Sequence, residues 1–351
     1  MTKKQPALVC VTGGSGFIAS HIVQEMLSRG YRVRATARDL EDPLKVSHLQ
    51  KMNQDFDGRL ELFQADLFVD RSFDQAFEGC DFVVHVAAVA KLTASNPEQS
   101  ILAPSIQGTQ NVLESVARAG TVTRYIHTSS VAAVVPTNAS PVTLYNEDSW
   151  NNDATLKNNP YGLAKTSAEK LIWTFLEGID EAQRFEAIAI NPVLVVGPVF
   201  SKRHLRASPT VIHDLLVGKF PACPQFSFGI VDVREVAYAH GEALTIENPE
   251  KRYLLSHESR WMVEIGRELA RLFPKFKIPT STLPNFVMYF MALFDKRLSF
   301  ANLRNLLGKT TQLDNKRSVD GLNVRYRPIE ETLKDCCDSM LNQGFAIPKN
   351  R

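Results

Sequence analysis

The stretch VTGGSGFIA, Val11–Ala19, decides the fold. It completes the apolar run "ALVCVTG", which reads as a buried strand. It also opens "GFIASHIVQEMLSRG", where Ile18, Ile22, Val23, Met26 and Leu27 share one helical face before the stop at Gly30. Gly13, Gly16 and Ala19 therefore stand in G-x-x-G-x-x-A spacing between a strand and a helix. Small residues at those places let the chain turn tightly, bring backbone amides up to a pyrophosphate and seat the helix on the strand. The helix start, with Phe17 and Ile18, offers unpaired N–H groups and the positive end of a dipole. Glycine pairs also end strands in plain turns, but here strand, glycines and helix agree on a dinucleotide site.

Working outward, short β-branched runs alternate with helical patterns. "YRVRATAR", "LELFQADL", "CDFVVHVAA", "VTRYIHTSS" and "FEAIAINP" read as further strands. "GTQNVLESVARAG" reads as a helix, and another begins at Tyr161. This alternation predicts a parallel sheet covered on both faces, and right-handed crossovers make it a doubly wound α/β sheet of the Rossmann type. Beyond Pro192 the rhythm loosens into Pro-rich and basic segments, predicting a smaller mixed C-terminal lobe that binds substrate. "GIVDVREVAYAHGEAL" reads as a strand and helix that return to the main sheet. The expected division is 1–192 and 229–247 for the nucleotide-binding domain, with 193–228 and 248–351 forming the lobe.

The bulk properties narrow the partners. At 351 residues, 44% apolar and 22% charged, the chain has the composition of a globular protein with room for a large core. A net charge of +2 without long basic runs argues against nucleic acid and toward a small-molecule partner. Cys10, Cys80, Cys223, Cys336 and Cys337 show neither Cys-x-x-Cys nor metal-ligand spacing, so free thiols and no metal are expected. "MTKKQPALVCVTGG" carries too brief an apolar run for a signal peptide. "FVMYFMALF", Phe286–Phe294, falls short of the roughly 20 apolar residues of a membrane span and reads as a buried helix or pocket wall. The expectation is a cytoplasmic protein with no integral membrane span.

The second strand ends in Arg38, where an acidic residue would be expected for a free adenosine ribose. A guanidinium there can grip a 2′-phosphate through paired hydrogen bonds, and Lys45 adds a second cation. Asp39 beside the arginine works against this reading, and a solvated charged surface is the bland alternative. NADP(H) is favoured over NAD(H). Asp66 and Leu67, ending the third strand, are expected near the adenine. Ala87 and Ala88, ending the fourth, are small enough for a cofactor to cross the sheet edge.

In order and spacing, "TGGSGFIASHI", "ATARD", "ADL", "HVAA", "HTSS", Tyr161-x-x-x-Lys165 and "NPVLVVGP" resemble the extended short-chain dehydrogenase/reductases. "NEDSW" (Asn146–Trp150), "VDVREVAYAH", "DNKRS" and "YRPIEETLKD" are similar to the branch of dihydroflavonol 4-reductase, cinnamoyl-CoA reductase and aldehyde reductases. The resemblance implies an NADP-dependent oxidoreductase in which Tyr161 protonates a carbonyl oxygen. Ser130 would hydrogen-bond that oxygen. A free phenol is a weak acid, titrating about pH 10, and a cation one helical turn away favours the phenolate. Lys165 would supply that charge and bind the ribose. Thr128, Ser129, Pro192 and Val193 would line the cofactor, and Val89 and Val135 the substrate. Taken singly, each of these has a bland reading as a helix pair, turn residue or strand end; the set together favours catalysis. The resemblance leaves a monomer or a homodimer as the expectation, since relatives often dimerise and the branch includes monomers.

Two departures bear on the substrate. Val135 stands where plant dihydroflavonol reductases carry an asparagine, and "NNPYGLAK" replaces the "NWYCYGK"-type motif of cinnamoyl-CoA reductases. The apolar segments "VAAVVP" and "FVMYFMALF" point to a small or medium hydrophobic aldehyde or ketone. The competing readings are a 3β-hydroxysteroid or sterol dehydrogenase, a nucleotide-sugar epimerase or dehydratase anchored by "SKRHLR" (Ser201–Arg206), and a non-catalytic NADP sensor.

Overall fold

A computed structural model describes residues 6–89, 91–293 and 300–347. The first half alternates β1 (Leu8–Thr12), α1 (Phe17–Ser28), β2 (Arg32–Ala37), α2 (Pro43–Asp55), β3 (Leu60–Gln64), α3 (Asp74–Phe77) and β4 (Phe82–His85). It continues through α4 (Ala103–Ala119), β5 (Arg124–Thr128), a short β6 (Leu144–Tyr145), α5 (Pro160–Gly178) and β7 (Glu186–Pro192). Then come β8 (Leu194–Val196), α6 (Pro209–Leu216), β9 (Ser227–Asp232), α7 (Val233–Ala243), β10 (Arg252–Leu255), β11 (Glu258–Trp261) and α8 (Met262–Leu272). The described chain closes with α9 (Asn285–Ala292), α10 (Phe300–Leu306), β12 (Gln312–Leu313), α11 (Lys316–Leu322) and α12 (Ile329–Asn342).

Seven parallel strands form the main sheet in the order β10-β7-β5-β4-β1-β2-β3. The order reverses between β1 and β4, so the strand ends open there into the crevice of a doubly wound fold. Strand alternation divides the core. Val9 and Val11 face one apolar cluster with α1, α2 and α7, while Leu8 and Cys10 face the other with α3, α4 and α5.

The second half departs from the sequence reading at two places. "GIVDVREVAYAHGEAL" does not rejoin the main sheet as a strand: β9 pairs with β8 and β11 in a separate three-stranded sheet, and only α7 packs back, beside α1. The edge position next to β7 belongs instead to β10, within the segment assigned to the lobe. Its Arg252 is buried and needs the carboxylate of Glu169, which anchors β10 there. The other departure is the apolar run. In α9 only Met288 and Ala292 are buried, against Leu303 and Leu307 of the α10 segment, whereas Phe286 and Leu293 are exposed. Phe294 lies outside the described residues. No helix among the described residues is long and apolar enough to cross a membrane.

Candidate active site

The glycine turn is built for close approach. Gly13 takes φ +66°, and a Cβ there would lie 3.1 Å from Ala87. The Gly16 N–H donates to the Gly13 carbonyl at 2.8 Å, and Ser20 Oγ bonds the carbonyls of Gly14 and Gly16 at 2.9 and 2.7 Å. Gly16 caps α1 without a side chain, which leaves the first amides, at Phe17 and Ile18, for an anion. Thr12 Oγ1 accepts from the N–H groups of Val86 and Ala87 at 3.0 and 3.1 Å, fixing the end of β4 against this turn. The loop therefore fits a dinucleotide pyrophosphate.

At the adenosine end, Arg38 is exposed just past β2 and enters no ion pair among the described residues. Lys45 differs: its Nζ donates to Asp39 at 2.6 Å and lies 3.5 Å from Asp42. Asp42 also accepts from Arg203 at 3.0 Å, and Ser201 Oγ donates to the Leu44 carbonyl. The basic stretch "SKRHLR" thus docks on the start of α2. Asp66 spends Oδ1 on the Phe68 N–H, while the Leu67 carbonyl accepts from Asn111 of α4.

Helix α5 starts with a built cap. Asn159 Oδ1 accepts the Gly162 N–H at 2.8 Å, and Pro160 fills the first turn. A Cβ on Gly162 would come within 2.7 Å of the Asn151 and Asn159 side-chain amides, so a larger residue beside the tyrosine would push on both. Lys165 Nζ donates to the Thr128 carbonyl at 3.3 Å, tying the helix to the end of β5. Tyr161, Lys165, Leu67, Ala87, Ala88 and Val89 line one narrow crevice, placing Val89 with the expected cofactor residues rather than in the larger pocket. Ser130 begins a short turn, its Oγ accepting from the Ala132 N–H at 3.2 Å.

Thr128 and Ser129 turn their side chains into the core. Thr128 Oγ1 donates to His240 Nε2 at 2.8 Å, an orientation set by His240 Nδ1 donating to the Val236 carbonyl at 2.7 Å. Ser129 Oγ donates to Glu169. Only their backbones remain to meet a cofactor. Beneath the crevice, burial pushes His85 down to about 3, helped by the charge of Lys165. Burial, then His85 and Lys165, also lowers His127 well below the usual histidine range. Both imidazoles are therefore neutral near pH 7.

Tyr161 also lines a second, larger cavity of about 350 Å³. Val131, Val135, Val193, Phe228 and Leu313 are among its walls, with Leu92 and Leu306 toward solvent. No Asp, Glu, Lys, Arg or His lines it among the described residues. "VAAVVP" is in this wall as expected; the described part of "FVMYFMALF" is not. Asn151, Asn159, Glu169, Asn191 and Arg252 shape the site and escaped the sequence reading. The Asn-Pro pair ahead of Tyr161 was a legible cap signal, and Glu169 follows Lys165 by one helical turn. Nothing local marks Arg252.

Residues 9–246 match the model of the NAD dependent epimerase/dehydratase family. The chain belongs to that family, among its extended short-chain dehydrogenase/reductases. It is 32% identical to cinnamoyl-CoA reductase CAD2 of Medicago truncatula, over 97% of each chain. It is 30% identical to dihydroflavonol 4-reductase of Callistephus chinensis, over 98% of this chain and 89% of the relative. Among solved structures, yeast methylglyoxal/isovaleraldehyde reductase Gre2 complexed with NADPH superposes with a TM-score of 0.78 at 28% identity, covering 97% of this chain and all (100%) of that one. These relatives are reductases, the enzyme class expected from the motifs.

Proposed function

We propose that the protein is an NADPH-dependent carbonyl reductase acting on uncharged, hydrophobic aldehydes or ketones of small to medium size. One observation carries the reading: Tyr161 borders both the dinucleotide crevice and an apolar pocket whose described walls bear no charge. Bound NADPH supplies a hydride. Tyr161 donates its phenolic proton to the carbonyl oxygen, and Ser130 steadies that oxygen with a hydrogen bond. Lys165 favours the phenolate left behind and holds the ribose. The Ala87–Gly13 contact and the open amides of α1 seat the pyrophosphate, while Arg38 selects the 2′-phosphate. The main-sheet elements up to Pro192 carry the cofactor, while β8, β9, β11 and the 305–313 segment complete a substrate pocket begun by the 131–137 wall.

Among the described residues no cation lines the pocket, which disfavours nucleotide sugars and CoA thioesters, whose diphosphates need basic anchors. "SKRHLR", the segment that would have anchored them, is engaged at α2 instead. All five cysteines are free and buried, in keeping with a cytoplasmic enzyme. The test is NADPH consumption against a panel of apolar aldehydes and ketones, cinnamoyl-CoA and a nucleotide sugar, repeated with NADH. Turnover of the uncharged carbonyls, faster with NADPH, is expected. Turnover confined to the thioester or the nucleotide sugar would overturn the proposal.

A further inference from the structure

Glu169 lies on α5, one helical turn beyond Lys165, and is fully buried. Its Oε1 accepts from Arg252 Nε at 2.5 Å. Its Oε2 accepts from the Ser129 hydroxyl and from Asn191 Nδ2, the latter at 2.7 Å. The same Asn191 nitrogen donates to the Ser130 carbonyl at 3.2 Å. One carboxylate therefore joins the helix of Tyr161 and Lys165, the end of β5 at Ser130 and the end of β7 at Pro192.

Arg252 carries the network toward the substrate wall. Its Nη1 donates to the carbonyls of Glu147 and Ser149, and its guanidinium carbon lies 3.7 Å from the centre of the Trp150 ring. Glu147 Oε1 in turn accepts the Leu254 N–H at 2.8 Å, so "NEDSW" is drawn down onto β10. The next residue, Asn151, donates from its side chain to the Ala132 carbonyl at 2.8 Å and accepts from the Thr137 N–H at 3.2 Å. Ala132 and Thr137 are pocket walls.

Burying an ion pair rarely adds net stability over an apolar pair of the same shape, but it does impose directional bonds. We propose that Glu169 and Arg252 are positioning residues that set Tyr161 and Lys165 in register with Ser130 and with the Ala132–Thr137 wall. The proposal rests on the carbonyl-reductase reading above. Misplacement of reacting groups by about 1 Å can cost on the order of 100-fold in rate, so the effect falls on kcat rather than on binding.

Ser129→Ala removes one bond to Glu169 and leaves the ion pair, so it is the variant most able to fold; Glu169→Gln keeps the shape and removes the charge. Ser129→Ala is expected to lower kcat about 10-fold and Glu169→Gln about 100-fold. KM for NADPH and for the aldehyde should stay within about 2-fold, since the effect is on alignment. The isotope effect measured with C4-deuterated NADPH should rise as hydride transfer becomes the slower step. A lowered melting temperature with wild-type kcat and an unchanged isotope effect would show a merely structural role and overturn the proposal. If Glu169→Gln does not fold, Ser129→Ala decides alone. Tyr161→Phe run in parallel separates the two ideas. Wild-type turnover there removes the reading of the site, whereas its inactivity beside an unaffected Ser129→Ala removes the positioning proposal only.

Discussion

The main sheet and the corner formed by α9 and α10 bury apolar side chains to very different degrees. Val9, Val84, Ile126 and Ile188, in four adjacent strands, have no solvent exposure. In the corner a cluster of Met288, Ala292, Leu303 and Leu307 is all that is buried among the described residues, while Phe286 is 73% exposed. The crevice residues at the strand ends therefore stand directly on a close-packed interior. The outer rim of the pocket, at Asn305 and Leu306, rests on much less. The difference teaches where the fold concentrates its packing: the reacting end stands on the close-packed sheet, and the entrance on a small satellite cluster with few buried contacts.

The largest effect that could break this comparison lies in the sheet. Ile126→Ala should cost about 2–5 kcal/mol in urea unfolding; a cost below about 1 kcal/mol would mean the sheet is not the stable half. Acid should act on the same half. Burial lowers His21, His48 and His240 to about 4 and His85 and His204 to about 3, and α9 and α10 contain no histidine. Unfolding frees these rings to bind protons near pH 6.5. Their contribution is therefore complete above that pH and is lost as pH falls toward 4, on the order of 3 kcal/mol for one such group. Urea midpoints at pH 7 and pH 5 check the sign, and equal midpoints would contradict it.

A smaller effect sharpens the contrast within the cofactor crevice. Arg38→Ala should lower kcat/KM for NADPH about 10- to 100-fold and leave NADH nearly unchanged. Lys45→Ala should do less, because Asp39 and Asp42 already occupy its charge. The smallest effect belongs to the corner. Phe286→Ser should change unfolding free energy by no more than about 0.5 kcal/mol, and a loss comparable to Ile126→Ala would erase the distinction between the two regions.

What was legible in the sequence follows the same division. Alternation of strands and helices up to Pro192, the glycine turn, and Tyr161 with Lys165 on one helical face are encoded within a few residues of each other. The local chain sets each of them. The assignments that moved depend on distant partners. β9 reads as a good buried strand, but which sheet it joins depends on β8 and β11. The β10 edge depends on Glu169, 83 residues away along the chain. The apolar run in α9 has no strict one-face pattern, so composition could not distinguish a covered helix from a half-exposed one. Lys45 had the right charge at the right spacing, and only the fold reveals the aspartates that share it.

The central claim is that Tyr161 is the proton donor to a carbonyl at the meeting of crevice and pocket. The most direct measurement compares kcat of wild type and Tyr161→Phe at saturating NADPH with one apolar aldehyde, with NADPH affinity measured on both. Removing the hydroxyl should lower kcat by about 100-fold or more while NADPH binding is retained. Equal turnover in the two proteins would contradict the account.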